Sequence, residues 1–261
     1  MNFNTIYTNG CSHTAGHRLG DLEIINSYVK KYNLIPWENE RDINFPKRLK
    51  KHFNCELIDE SQCGAGSPRV VRQTFEYISN NNLSQIKNTL FVLLFNIPFH
   101  RLEYYCKKIN DYLIVNVQYN DDETFRYVNV AEKYSKTDRK YDSKFFEGEI
   151  VEDVKLWLTK YHDPMVYMKK ITNEIQGLFS FFDLHNVNYF YGFDGGFHGP
   201  RYINKKRILN IDSCQTIYEY CDKHQLTLHH ELEDNSNDFH PGYFGHLKFS
   251  EELIKFLNNE S

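Results

Sequence analysis

The run Thr89-Leu90-Phe91-Val92-Leu93-Leu94-Phe95 constrains this chain more than any other segment. It is apolar at odd and even positions alike, so a strand built from it has two faces to bury instead of one. That pattern predicts a strand at the centre of a parallel sheet, with helices on both sides. Shorter apolar runs lie at Phe3 to Thr8, Cys55 to Ile58, Asn186 to Phe193 and, as LTLHHEL, at 226–232. Each is followed by turn residues, and most by a longer mixed segment. PKRLKKHFN at 46–54 and PRVVRQTFEYISN at 68–80 both open on a proline suited to a first helical turn. Pro164 to His185 and the terminal KFSEELIKFLNN also read as helices.

This β and α rhythm predicts a three-layer α/β/α sandwich around a five-stranded parallel sheet. Between about 103 and 160 the rhythm stops. There YLIVNVQY and TFRYVNVA alternate around Asn120-Asp121-Asp122-Glu123, the pattern of a β-hairpin, and the acidic, lysine-bearing run at 131–155 reads as an exposed face. The 261 residues are therefore read as one domain with one Tyr-rich insertion.

Composition narrows the partners. With 31 Lys+Arg against 35 Asp+Glu and a net charge of -4, the chain has no broad basic footprint for nucleic acid. It contains no apolar stretch of membrane-spanning length, and MNFNTIYTNGCSH lacks the basic and apolar regions of a secretory signal, so the expected location is cytoplasmic. Cys11, Cys55, Cys63, Cys106, Cys214 and Cys221 form no Cys-x-x-Cys pair and are expected to be reduced.

Ligands of open α/β sheets collect beyond the carboxyl ends of the strands. Those ends carry Gly10-Cys11-Ser12-His13-Thr14, Gly64-Ala65-Gly66-Ser67, Asn96, and Asp238-Phe239-His240-Pro241 followed by Gly245-His246. The set matches the requirements of acyl transfer. Ser12 is a nucleophile once His240 removes its proton, and Asp238 can fix the tautomer and stabilise the cation of His240. The Ser12 and Gly64 backbone N–H groups and the Asn96 amide can meet the oxyanion. His13, Arg101, Phe193 and His246 are candidates to contact substrate, with Arg101 placed to meet an anionic one. Arg69 and Arg72 read as solvated helix faces. The glycine- and aromatic-rich stretch Tyr189 to Gly199 is either core and loop or a wall of the site. His229, His230, Asp238, His240 and His246 are zinc-ligand types, but adjacent histidines in a strand point to opposite faces, so no metal site is expected.

These blocks resemble the SGNH hydrolases, the GDSL-like esterases and lipases. Gly10 to Thr14 is similar to that family's Gly-Asp-Ser-x-Thr block, with Cys11 in the aspartate's place. Ser61 to Ser67 resembles its oxyanion-glycine turn, Gly66 competing with Gly64 for the role. Asn96 stands for the third block. Asp238 to His246 resembles the block with Asp-x-x-His-Pro and a following Gly-His, one residue shorter: the usual acid position falls on Asn237, so either Asp238 or another group orients His240. The resemblance implies a flavodoxin-like sheet, no metal or organic cofactor, and hydrolysis of small esters, often acetyl groups on carbohydrates. A binding protein that keeps the fold without the chemistry, or an O-acyltransferase using the same serine, would carry the same blocks.

Overall fold

The computed structural model describes residues 3–96, 101–107, 110–119, 125–130, 148, 150–194, 200, 203–233 and 238–259, without the side chains of 118, 119 and 125–130. The Asn120 to Glu123 turn, most of the 131–155 run, Gly195 to Gly199 and Asn237 lie outside this set. In chain order the strands are β1 (Thr5–Asn9), β2 (Glu56–Asp59), β3 (Thr89–Phe95), β4 (Arg101–Cys106), β5 (Asp111–Tyr119), β6 (Phe125–Val130) and β7 (Asn188–Phe193). The α-helices are α1 (Ser12–Ala15), α2 (Leu22–Tyr32), α3 (Phe45–Phe53), α4 (Ser67–Asn80), α5 (Leu83–Lys87), α6 (Val151–Tyr161), α7 (Pro164–His185), α8 (Ile217–Lys223), α9 (Leu228–Leu232) and α10 (Tyr243–Asn259).

All seven residues of β3 are buried, and successive side chains serve opposite cores. Phe91, Leu93 and Phe95 pack with Tyr7, Val70, Val71 and the α7 residues Ile171, Ile175, Leu178, Phe179 and Phe182. Leu90, Val92 and Leu94 pack with Phe45 and Leu49 of α3, Ile217 and Tyr220 of α8, and Phe249, Leu253 and Leu257 of α10. Each such side chain contributes about 1.5–3 kcal/mol by leaving water. Local chemistry sets the helix starts: Pro164 occupies the first turn of α7, and the Asp163 carboxylate accepts from the Met165 and Val166 N–H groups.

The main sheet is parallel and has four strands in the order β2-β1-β3-β7, one fewer than expected. LTLHHEL is not its fifth strand. Thr227 makes one bridge, to Pro241, and the chain then turns into α9, so His229 and His230 are helical neighbours. The free edge of β7 instead meets Ile208 in a single parallel bridge, where the Leu209 N–H donates to the Tyr191 carbonyl at 2.8 Å.

The inserted segment forms a second, antiparallel sheet in the order β4-β5-β6. One of its faces, with Leu102, Leu113, Val115 and Val117, packs on Ile150, Val154 and Leu158 of α6 and its entry. The opposite face carries Arg101 and its cross-strand partner Asn116 towards the glycine turn after β2.

Candidate active site

Ser12 opens α1 directly beyond β1 and is 4% exposed. At the first position of a helix its own N–H has no intrahelical acceptor, so donor and hydroxyl share one turn. His240 approaches from the loop between α9 and α10, with Nε2 3.3 Å from Ser12 Oγ. The contact is slightly longer than a tight hydrogen bond. On the far side His240 Nδ1 lies 2.7 Å from Asp238 Oδ1, which also accepts the His240 N–H at 3.0 Å. That second bond is an Asx-type turn, and it is how an aspartate only two positions before the histidine reaches its ring.

The loop is held at both ends. The first N–H groups of α9 donate outward, Leu228 to the His240 carbonyl at 2.8 Å and His229 to the Asp238 carbonyl at 2.9 Å. Arg18 reaches back from the turn after α1 and donates Nη1 to Asp238 Oδ2 at 2.6 Å. Both carboxylate oxygens are thereby occupied, which leaves the His240 ring no freedom to swing to the other oxygen.

Burial alone would raise the pKa of Asp238, but hydrogen bonds from the His240 backbone and ring and from Arg18 outweigh it and hold the carboxyl below its usual value. His240 moves down from 6.5, because burial and the nearby His13 outweigh the pull of Asp238. The resting pair is therefore a carboxylate and a neutral imidazole, the state in which Nε2 can accept a proton. Two more imidazoles crowd the ring, His13 at 5.2 Å and His17 at 4.8 Å between centroids. Burial lowers the pKa of both, that of His13 to about 4, against the pull of Asp194 and together with the charge of Arg101. His13 also stacks on Tyr218 at 4.8 Å, and His17 Nδ1 lies 3.1 Å from Cys63 Sγ.

Gly64 has φ +76°, a conformation side chains rarely adopt, and it turns the chain at the rim between β2 and α4. Asn96 follows β3 and is pinned: Oδ1 accepts the Ser67 N–H at 3.0 Å, and Nδ2 donates to the Ala65 carbonyl at 3.0 Å. One N–H of that amide remains for another acceptor. Gly66 serves close approach, since a Cβ there would stand 2.2 Å from the Arg101 carbonyl oxygen.

Of the candidate substrate contacts, His246 is corrected by the structure. His246 is fully buried; its Nδ1 accepts the Phe45 N–H at 3.2 Å, so it anchors α3 to α10 and meets no substrate. Phe193 is 7% exposed and packs on Phe95 and Tyr191 within the core. Arg69 and Arg72 are not solvated either. Arg69 is buried and donates to the Glu60 carbonyl, and Arg72 clamps Glu103 with two bonds of 2.9 and 2.7 Å. Among the described residues no group of three His, Cys, Asp or Glu side chains is arranged to hold a metal ion. No helix among them is long and apolar enough to cross a membrane. Arg18 and Asn116 enter the site without having been singled out in the sequence. A cleft of about 870 Å³ between α4, α7 and the inserted sheet, lined by Arg72, Phe75, Glu103, Tyr105, Tyr112 and Trp157 among others, does not include Ser12 or His240.

No family model matches the chain, and no curated protein does. Among solved structures, an acetyl xylan esterase (Est2A) from the rumen bacterium Butyrivibrio proteoclasticus is similar over 100% of this chain and 65% of its own, with a TM-score of 0.42 and 14% identity. The chain thus spans a little under two thirds of that protein's length.

Proposed function

We propose that the protein is a serine esterase of the SGNH type. The observation that carries this reading is the continuous chain Ser12 Oγ, His240 Nε2, His240 Nδ1, Asp238 Oδ1, with contacts of 3.3 and 2.7 Å. In the proposed reaction Ser12 Oγ attacks the ester carbonyl and its proton passes to His240 Nε2. Negative charge gathers on the carbonyl oxygen, where the N–H groups of Ser12 and Gly64 and the second N–H of Asn96 would meet it. The intermediate expels the alcohol, which takes the proton from His240. Water then gives a proton to His240 and attacks the acyl-enzyme, releasing the acid and restoring Ser12. Asp238 holds the imidazole in the tautomer that points its lone pair at Ser12, and Arg18 holds Asp238.

The motif resemblance favours a small acyl group, acetyl on a carbohydrate first, and no step of this scheme calls for a metal or organic cofactor. Hydrolysis of p-nitrophenyl acetate by the wild type, Ser12→Ala and His240→Ala tests the reading. Saturable turnover that both substitutions abolish in folded protein is the expected result. Equal rates in wild type and Ser12→Ala would remove Ser12 from the chemistry. Adding a sugar acceptor separates hydrolysis from acyl transfer by its products.

A further inference from the structure

We propose that the ester this site takes carries a carboxylate, bound by Arg101 of the inserted sheet beside the oxyanion turn. The proposal rests on the esterase reading above and names its substrate class.

Arg101 Nη1 lies 3.4 Å from the Ala65 carbonyl oxygen, the same oxygen that accepts Asn96 Nδ2 at 3.0 Å. The guanidinium and the Asn96 amide thus converge on one acceptor, and the cation stands next to the donors assigned to the oxyanion. The close approach at Gly66, where only 2.2 Å separates a built Cβ from the Arg101 carbonyl oxygen, fixes the two main chains against each other. On β5 Asn116 is the cross-strand partner of Arg101, and its Nδ2 lies 3.4 Å from the place a Cβ on Gly64 would occupy. One face of the inserted sheet therefore presents a fork of donors and an amide to the Gly64–Gly66 turn.

The neighbouring charges are otherwise committed. Arg72 holds Glu103 at 2.7 Å, Arg69 faces Glu60 at 3.6 Å, and Arg18 holds Asp238 at 2.6 Å. Asp194 follows β7, where its N–H donates to the Phe95 carbonyl at 2.7 Å and its charge is felt by His13 and Tyr218. Among the described residues no carboxylate pairs with Arg101, which is half-buried and makes one long bond to a carbonyl. A guanidinium has five N–H donors, so most of them remain for a ligand. Its charge reaches the reacting groups, since it depresses the pKa of both His13 and His240. A carboxylate on the substrate would supply the missing counter-charge through paired, charge-assisted bonds.

Two matched pairs of esters test this: p-nitrophenyl acetate against mono-p-nitrophenyl succinate, with the carboxylate on the acyl side, and phenyl acetate against p-acetoxybenzoate, with it on the alcohol side. The readout is the charged-to-neutral ratio of kcat/KM in wild type, Arg101→Gln and Arg101→Lys. The expected result is a wild-type preference for the charged member of one pair, lowered on the order of 10- to 100-fold in Arg101→Gln, partly kept in Arg101→Lys, and eroded by salt. The pair that responds tells which side of the ester carries the carboxylate. A wild-type ratio near one in both pairs overturns the proposal while leaving the esterase reading intact. So does an equal loss on both members in Arg101→Gln, which would make the guanidinium an oxyanion partner. If no ester is turned over in a Ser12-dependent way, the esterase reading fails and the proposal with it.

Discussion

His246 is the residue through which acid should weaken this fold most measurably. Its ring is fully buried, Nδ1 accepts the Phe45 N–H, and burial followed by the charges of Arg48 and His13 lowers its pKa from 6.5 to about 3. Between those values the unfolded chain binds a proton that the folded chain refuses. Stability must therefore rise with pH, being fully present above the unfolded pKa and lost as pH falls below it, with a limiting slope of about 1.4 kcal/mol per pH unit. Integrated from about pH 7 to about pH 5, the loss assigned to this ring is about 2 kcal/mol. His246→Asn keeps an acceptor for Phe45 and removes the titration. It costs stability at every pH through lost packing, but that cost is constant. Urea unfolding of wild type and variant across this range should show the stability gap narrowing by about 2 kcal/mol towards acid. A gap that stays constant with pH would refute the argument, because it would mean that His246 is protonated, or exposed, in the native state.

Further consequences follow from the site and its walls. The acid limb of kcat/KM should fall below pH 6.5, since the His240 pKa is lowered and its neutral form is the base; a limb above that value would show that Asp238 dominates its environment. Arg18→Gln removes one of the partners that hold Asp238 down and a cation from beside the Asp238–His240 pair, so that limb should move to higher pH and kcat should drop on the order of tenfold; an unshifted profile would make Arg18 a surface contact only. Gly66→Ala drives a Cβ into the Arg101 carbonyl and should cost about 1–3 kcal/mol in denaturant unfolding; a neutral effect would show that the inserted sheet is not fixed at the turn.

The strand at 89–95 was legible because a run apolar on both parities has few places to go in a folded domain, and every residue in it is buried. Ser12 and Gly64 were legible as turn chemistry at the ends of such runs. LTLHHEL misled because seven residues cannot separate a two-residue period from a helical turn, and the bridge from Thr227 to Pro241 ends the extended part after one residue. His246 looked like a site residue because a histidine after a glycine carries no mark of burial. Its partner, the Phe45 N–H, is a backbone donor 201 residues away that no pattern reveals. Arg18 escaped for the same reason, being paired with Asp238 across 220 residues from a left-handed turn. The spacing of Asp238 gave no sign of how its carboxylate reaches the ring, because that depends on a side-chain turn in which one oxygen accepts both the His240 N–H and its ring.

The central claim is that Ser12 is an activated nucleophile, and a fluorophosphonate reads this directly. Intact mass of the treated protein, with peptide mapping and Ser12→Ala as control, should show a single adduct on Ser12 that disappears in the variant. A folded wild type that takes no adduct, or takes it on another residue, would contradict the account.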